Sequence, residues 1–375
     1  MITIIGCGPV GSYLGCLLSD KGINNTIIEE HKDIGRPEQC TGLISRNMED
    51  IIPKDWVQKA IQNKVNGAVI SCGKESFEVV AKEPKAYVFD RALFDQAIAE
   101  KAKDKGSRVL LGHKYLSHNI SERGLKIGLK TGNKSVYHQS SVLVGADGPC
   151  SKVAKNSGLY GERRFWIGSQ AILRAKKPFF EKDKVYVYLD KRYSDGFFAW
   201  VVPINEEKAK AGLASLSNPA EHLKRFLNDR FGRSGSDFAV EGRYGGLIPI
   251  YKRMPLQNEQ KNIFLAGDAA LQCKAISGGG VLNGMLAAKE LSNAVSSGDF
   301  DYEKRLGKIR NNLWMHSLIR NKLNSMDDRR KGHLLNDLNN YNVKKVLEEK
   351  GDMDFPKKFV FNLLLSKPGL IKYLL

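Results

Sequence analysis

Two kinds of apolar spacing alternate along the chain. Ile2, Thr3, Ile4 and Ile5 form a short, mostly β-branched run, the pattern of a strand buried on both faces, and Tyr13, Leu14, Leu17 and Leu18 then recur at helical spacing. A second short run, Thr26 to Ile28, follows. Residues 67–81 read as two strands turned at Gly73-Lys74, and Tyr87 to Phe89 as another short strand. Asp90 caps a predicted helix with apolar residues at 93, 94, 97 and 98 and a stop at Gly106. Strands are predicted over 108–116, 124–130 and 135–144. The middle changes character: over 165–216, KVYVYLD and GFFAWVVPINEEKAKAGLASL predict an antiparallel sheet covering a pocket, followed by a helix near 219–231. A strand returns at Ile263 to Ala266, and a small-residue helix opens at Val281. Residues 301–350 are helical and Lys-rich, and the chain closes with PKKFVFNLLLSKPGLIKYLL, broken at Pro368-Gly369.

Glycines mark where strand gives way to helix. Gly6, Gly8 and Gly11 stand between the first strand and the first helix, which is the setting a dinucleotide fingerprint requires. Gly6 makes the tight turn, Gly8 lets backbone approach a pyrophosphate, and Gly11 lets helix and strand pack closely. The phosphates would rest on the helix N-terminus at Pro9 and Val10, where unpaired N–H groups favour negative charge. Glu29 ends the second strand, where its carboxylate can accept both ribose hydroxyls. Two later turns repeat the theme: Asp147-Gly148 after a mid-chain strand, and Gly267-Asp268 followed by Gly278-Gly279-Gly280. The helix opened by the triple glycine would turn its positive end toward the same ligand.

Composition narrows the class without redirecting it. With 375 residues, 42% hydrophobic and 27% charged, the chain is an ordinary globular protein with room for one large or two ordinary domains. No apolar run reaches the length of a membrane span. The net charge of +18 favours acidic partners, but no nucleic-acid motif accompanies it and the lysines are scattered, so no nucleic-acid partner is expected. Residues 301–375 hold 16 Lys/Arg against 9 Asp/Glu. The closing tail reads first as a helix packed on the body and second as a peripheral contact with a membrane's inner face. Six cysteines lack CxxC spacing, which points to reduced cytoplasm, and no metal site is expected.

With the three glycine signatures in order, the chain resembles the FAD-dependent family of the p-hydroxybenzoate hydroxylase fold, and within it the archaeal geranylgeranyl reductase group. Pro37-x-x-Cys40 is similar to the group's PxxC element, and Phe198-x-Trp200-x-Val202-Pro203 to its YxWxFP element. YVFDRALFD, residues 87–95, resembles the strand-helix junction whose arginine, here Arg91, contacts FAD. The likeness spans about residues 1–290. Phe198 stands where tyrosine is usual, Val202 replaces the second aromatic, Thr41-Gly42-Leu43 replaces Gly-Glu-Gly, and Ala275 replaces a proline.

The resemblance implies a mixed α/β fold: a Rossmann-type FAD-binding domain from 1–160 and 240–300, an inserted antiparallel-sheet substrate domain over 161–239, and a helical C-terminal segment over 301–375. Part of 67–100 is open to either domain. FAD would be held by Gly6, Gly8, Pro9, Val10, Gly11, Glu29, Arg36, Cys40, Thr41, Gly42, Arg91, Tyr115 (through its main chain, at the adenine), Asp147, Gly148, Gly267, Asp268, Gly278, Gly279, Gly280 and Val281. Chemistry would fall to Cys40, Trp200 and Phe198, with Cys40 as proton donor, sensor of flavin redox state or small packing group. The implied activity is saturation of C=C bonds in geranylgeranyl chains of archaeal ether lipids or their precursors. NAD(P)H, a ferredoxin or a deazaflavin would supply electrons, so an electron-donor protein is a candidate partner. A flavin monooxygenase or halogenase shares every cofactor signature, and a flavin-bound adaptor without turnover is the third reading.

Overall fold

The protein is described by a computed structural model covering residues 1–122, 124–232 and 237–374. The side chains of residues 358 and 359, and residue 375, all in the closing tail, lie outside the described residues. The short apolar runs assemble into a five-stranded parallel sheet in the order 263–265, 142–145, 2–5, 25–28, 108–110. Strand Ile2–Ile5 is central, paired with Val142–Gly145 on one side and Asn25–Ile28 on the other. Every residue of these three strands is buried, because helices cover both faces. That double burial is why they read as continuous runs without alternation.

Two predicted strands are each divided between sheets. The run 108–116 breaks at Gly112, where φ is +68°: Arg108–Leu110 joins the parallel sheet, while Lys114–Ser121 pairs antiparallel with Gly124–Thr131 in a three-stranded sheet. The run 135–144 breaks at Ser141 into Lys134–Ser140, in the small sheet, and Val142–Gly145, in the parallel one. Gly112-His113-Lys114 and His138-Gln139-Ser140-Ser141 interrupt the apolar pattern at the two breaks, and these short polar stretches mark where the chain changes sheets. Helix Arg91–Asp104 is capped by Asp90, whose carboxylate accepts from the N–H of Leu93 at 3.0 Å. Its inward face is Ala92, Phe94, Asp95, Ile98, Ala99 and Ala102. Leu93, expected inside, is exposed, and Asp95 takes an inward place by pairing with Arg91.

The largest sheet has seven strands in the order 238–249, 165–175, 208–215, 199–203, 184–188, 67–72, 75–80. Residues 67–80 therefore belong to it. The division expected at 239/240 falls inside strand Phe238–Pro249, which pairs along its length with Phe165–Ala175. One face packs on helix Pro219–Phe231 through Ala171, Leu173, Val201, Ala211 and Phe226. The other face meets the loop at 36–42 and the turn at 275–280.

The C-terminal helices are threaded into the body. Tyr302, Leu306, Ile309 and Leu313 enter the core of the parallel-sheet domain, and Leu335 packs on Cys72 and Phe77 at the edge of the large sheet. Helix Lys357–Ser366 lays Leu363 and Leu364 against Met326, Val343, Leu370 and Tyr373. No helix of the described residues is long and apolar enough to cross a membrane.

Candidate cofactor site and active-site cleft

The opening turn is built by backbone lying on backbone. A Cβ at Gly6, where φ is +105°, would sit 2.3 Å from the carbonyl oxygen of Ala146, and one at Gly11 would sit 2.0 Å from that of Gly6. At Gly8 a Cβ would meet nothing within 4 Å, so the approach to the helix is clear. Gly8 is the N-cap of helix Pro9–Asp20 and offers no side-chain cap. The first-turn N–H groups of Val10 and Gly11 therefore point outward for an anion. Glu29 is pinned beside the turn: Oε2 accepts from the N–H of Cys7 at 2.9 Å, and Oε1 from the N–H of His31 at 2.9 Å. Oε1 also meets His31 Nδ1 at 2.7 Å, so Oε2 is the oxygen that retains acceptor capacity for a hydroxyl.

Leu110 and His113 flank Glu29 through main-chain hydrogen bonds. Tyr115 lies two residues beyond that segment. Its side chain is buried, and its hydroxyl is bonded to His118 Nδ1 at 2.6 Å and Asn156 at 3.3 Å. Asp147 and Gly148 follow Ala146 past Gly6, but the Asp147 carboxylate turns to its own helix, Lys152–Asn156. It accepts there from the hydroxyl of Ser151 at 2.6 Å and the N–H groups of Lys152 and Val153.

The second turn is locked onto the first. Val10 packs against Gly267 and Gly284, where a Cβ at Gly284 would stand 2.5 Å from the valine methyl, so helices Pro9–Asp20 and Val281–Ser297 meet at their starts. Gly284 was not singled out by the sequence, although its small size permits that contact. Asp268 does not cap a helix, and among the described residues its carboxylate has no hydrogen-bond partner. Burial pushes its pKa up to about 6, with Arg91 pulling the other way. The three glycines of the next turn each admit a different neighbour. A Cβ at Gly278 would crowd the Phe197 ring at 3.1 Å, at Gly279 Lys274 Cε at 3.0 Å, and at Gly280 Asp268 Oδ1 at 2.5 Å.

The loop carrying Cys40 fastens to the large sheet. Arg36 is exposed at its start, and Cys40 is half-buried with its sulfur 3.4 Å from the N–H of Gly42. A Cβ at Gly42 would lie 2.3 Å from the carbonyl oxygen of Phe89. Arg91 forks onto Asp95 at 3.0 and 3.2 Å, and its charge reaches both Cys40 and Asp268. Burial opposes that charge, but Asp95 more than offsets it, so the guanidinium stays above its ordinary value. The Thr41 hydroxyl donates to Gln170 Oε1 at 2.9 Å, and Lys210, 2% exposed, donates to Glu38 at 3.2 Å. A lone lysine in the small-residue strand AKAGLAS was the available signal for this latch.

Tyr244, Gln170, Gly212 and Trp200 stand in register as one row across four strands on the face that meets this loop. Phe198 meets Trp200 edge-on at 5.9 Å and stacks on Phe197 at 4.3 Å, and Phe197 leans on Trp166 at 4.7 Å. Trp200 Nε1 and the Tyr244 hydroxyl are buried without a protein partner. Toward the far edge of the large sheet, Cys72, Asp190 and Asp328 bring ligand atoms within 4.8 Å of one another, where Lys331 already neutralises Asp328.

Behind the triple-glycine turn stand groups from the C-terminal helices that the sequence did not connect with the site. Lys274 is ion-paired with Asp354, both buried, and Asp354 also accepts from Asn47 at 2.9 Å. Despite burial, the Lys274 charge holds the Asp354 carboxyl below its ordinary value. Arg320, 3% exposed, donates to the carbonyls of Ala275 at 2.9 Å and Ile276 at 2.5 Å, and stands over Phe197 at 4.7 Å and Phe198 at 5.2 Å. The clues were polar residues in apolar company: Lys274 beside Ala275, and Arg320 on the helix face of Ile309, Leu313 and His316.

The clear approach at Gly8, the bare first-turn N–H groups, the unpartnered Asp268 carboxylate and the 278–280 turn form one cradle, linked at Val10 and Gly280. It suits a long two-part nucleotide such as FAD. The sequence of residues 1–296 matches the family described as FAD binding domain. A digeranylgeranylglycerophospholipid reductase of Methanothrix thermoacetophila is 29% identical over 333 residues, covering 81% of this chain and 82% of that protein. An uncharacterized protein of Methanocaldococcus jannaschii is 28% identical over 380 residues, 97% of this chain and 95% of that one. Among solved structures, a geranylgeranyl bacteriochlorophyll reductase-like protein of Thermoplasma acidophilum superposes with a TM-score of 0.83 at 20% identity, covering 100% of this chain and 98% of that chain. The flavin-dependent brominase Bmp2 reaches 0.74 at 16% identity, covering 99% and 98%, which reflects the shared fold. The chain belongs to the FAD binding domain family and is a flavin-dependent oxidoreductase of the geranylgeranyl reductase-like kind.

Proposed function

We propose that the protein saturates C=C bonds of geranylgeranyl chains in archaeal-type ether lipids or their precursors. The observation that carries this reading is the aromatic wall of Trp166, Phe197, Phe198 and Trp200, set directly against the 278–280 turn and facing the Cys40 loop. A pocket for a hydrocarbon chain is an apolar surface with an opening beside the reactive group. The reductases among the relatives support the same choice.

Glu29 and the first-turn N–H groups would hold the adenosine and pyrophosphate portion of FAD, and Asp268 would accept from its ribityl hydroxyls. Reduced FAD, when bound, supplies the hydride. The chain's own task is to orient the alkene, exclude water and deliver one proton to the other carbon. The aromatic wall does the first two. Cys40, beside Arg91 at the mouth of the cradle, is the proton donor in this reading. The Glu38–Lys210 and Thr41–Gln170 bridges fix the loop that carries it. Electrons would come from NAD(P)H, a ferredoxin or a deazaflavin acting from outside. Helix Lys357–Ser366 leaves Phe361 and Leu365 bare, with Ile371 and Leu374 exposed beyond it and Lys357 and Lys372 nearby. An apolar patch with a basic rim suits peripheral contact with an anionic lipid surface, where the substrate resides.

The test is anaerobic incubation of the FAD-loaded protein, reduced with dithionite, with a digeranylgeranylglycerol phospholipid. Mass spectrometry should find two hydrogens added per reduced bond. Reduced flavin that persists beside unchanged lipid would falsify the reading. Cys40→Ser should lower turnover at least tenfold with FAD still bound; unchanged turnover would leave Cys40 a packing role.

A further inference from the structure

Arg320 is a buried cation in an unusual setting. It comes from helix Gly307–Ser325, outside both sheets, and reaches the place where the flavin turn meets the aromatic wall. Its partners are the carbonyls of Ala275, Ile276 and Phe197, and the ring faces of Phe197 and Phe198. Among the described residues no carboxylate pairs with it. Its neighbour Lys274, on the same turn, has its charge matched by Asp354, so among the described residues the positive charge left over behind residues 274–280 is that of Arg320. Burying a charge without a counter-ion is costly, and carbonyl dipoles and ring faces compensate only in part. Burial alone lowers its pKa, to about 9, so it is still charged at neutral pH.

A fixed cation behind a ligand turn favours whichever state of the ligand is more negative. The flavin ring is neutral when oxidised and can carry a negative charge after two-electron reduction. We propose that Arg320 is a positioning and charge-balancing residue of the flavin site, which holds the 275–280 turn against Phe197 and favours the reduced, anionic cofactor over the oxidised one. This rests on FAD occupying the cradle and is independent of which lipid is reduced.

The test uses full-length protein reconstituted with FAD, without lipid, in dye-equilibrated reductive titrations. Arg320→Met should lower the affinity for reduced FAD relative to oxidised FAD at least tenfold, a fall of about 30 mV in midpoint potential for a two-electron couple. Arg320→Lys, which keeps the charge and loses the fork, should retain most of the potential. A merely structural strut would lower the melting temperature of apo and FAD-loaded protein alike and leave the potential where it was, which overturns the proposal. So does Arg320→Lys losing as much potential as Arg320→Met. If Arg320→Met does not fold, the wild-type protein decides. Uptake of one proton per two electrons from pH 6 to 8, about 30 mV per tenfold change in proton concentration, supports an anionic reduced state. Uptake of two protons overturns it. Protein that shows the shift yet reduces no lipid refutes the lipid reading alone.

Discussion

The two ends of the cradle are made differently. The nucleotide end is backbone: Gly6 against Ala146, Gly11 against Gly6, N–H groups at the head of a helix, with Glu29 held by the N–H groups of Cys7 and His31. The other end, the proposed catalytic one, is made of side chains from six separated segments: Cys40 and its loop, Arg91, the 197–200 aromatics, Lys274, Arg320 from helix Gly307–Ser325, and Asp354 from the link between the last two α-helices. A phosphate is recognised by dipoles that any sequence supplies once the turn is formed, so its site can be local and glycine-rich. A hydrocarbon and a redox-active ring need shape and charge, which only side chains brought together from a distance provide.

If that contrast is right, the two ends should fail independently. Asp354→Ala leaves Lys274 buried without its partner and should cost about 4 kcal/mol of stability. Denaturant titration reads the loss, and the Lys274→Met/Asp354→Leu pair should recover most of it. ADP, which needs only the nucleotide end, should bind the folded fraction of Asp354→Ala within about twofold of wild type; a large loss would merge the two ends into one unit. Gly11→Ala should do the reverse, costing about 3 kcal/mol by overpacking against the Gly6 carbonyl and abolishing ADP and FAD binding together. Calorimetric titration with ADP distinguishes the two variants.

Asp268 lies where the ends join and should show a trade of stability for function. Its pKa in the folded chain, about 6, stands above the unfolded value of 3.8, so the native state binds the extra proton between them. The stabilisation from this group is full below 3.8 and is lost as pH rises through 6. Asp268→Asn should therefore stabilise the FAD-free protein by about 1–2 kcal/mol at pH 8, have little effect at pH 4, and weaken FAD binding. No gain at pH 8 would mean that the carboxylate is already satisfied without cofactor. The smallest effect belongs to the surface. Replacing Phe361 and Leu365 by Ser should change stability by less than about 0.5 kcal/mol. Sedimentation with anionic vesicles should fall severalfold, and unaltered sedimentation would remove this helix from the lipid-facing surface.

Legibility followed the same division. The strand at 2–5, the glycine turn, Glu29 and the Gly267-Asp268 turn could be read because each is contiguous and its spacing is fixed by backbone geometry. The runs 108–116 and 135–144 are each two strands, because the chain passes from one sheet to another at Gly112 and Ser141; the polar stretches there, Gly112-His113-Lys114 and His138-Gln139-Ser140-Ser141, are short enough to read as part of a single strand. Near Glu29 the segment 110–113 is brought alongside by main-chain hydrogen bonds that no spacing rule supplies. Lys210, Lys274 and Arg320 were visible as polar residues in apolar surroundings, but nothing local says whether such a residue faces a partner 172, 80 or 45 positions away.

Local sequence was enough for the cofactor class and for the opening strand-turn-helix-strand unit of residues 2–29, because a nucleotide turn is a short-range object in which few residue types satisfy the backbone. It also singled out Cys40 and Trp200 as residues of interest. The contact of the C-terminal segment with the 274–280 turn became visible in the folded chain alone. The charge behind the flavin turn depends on Arg320 and Asp354 folding back across the whole chain, and contacts of that range are set by packing and not by local propensity.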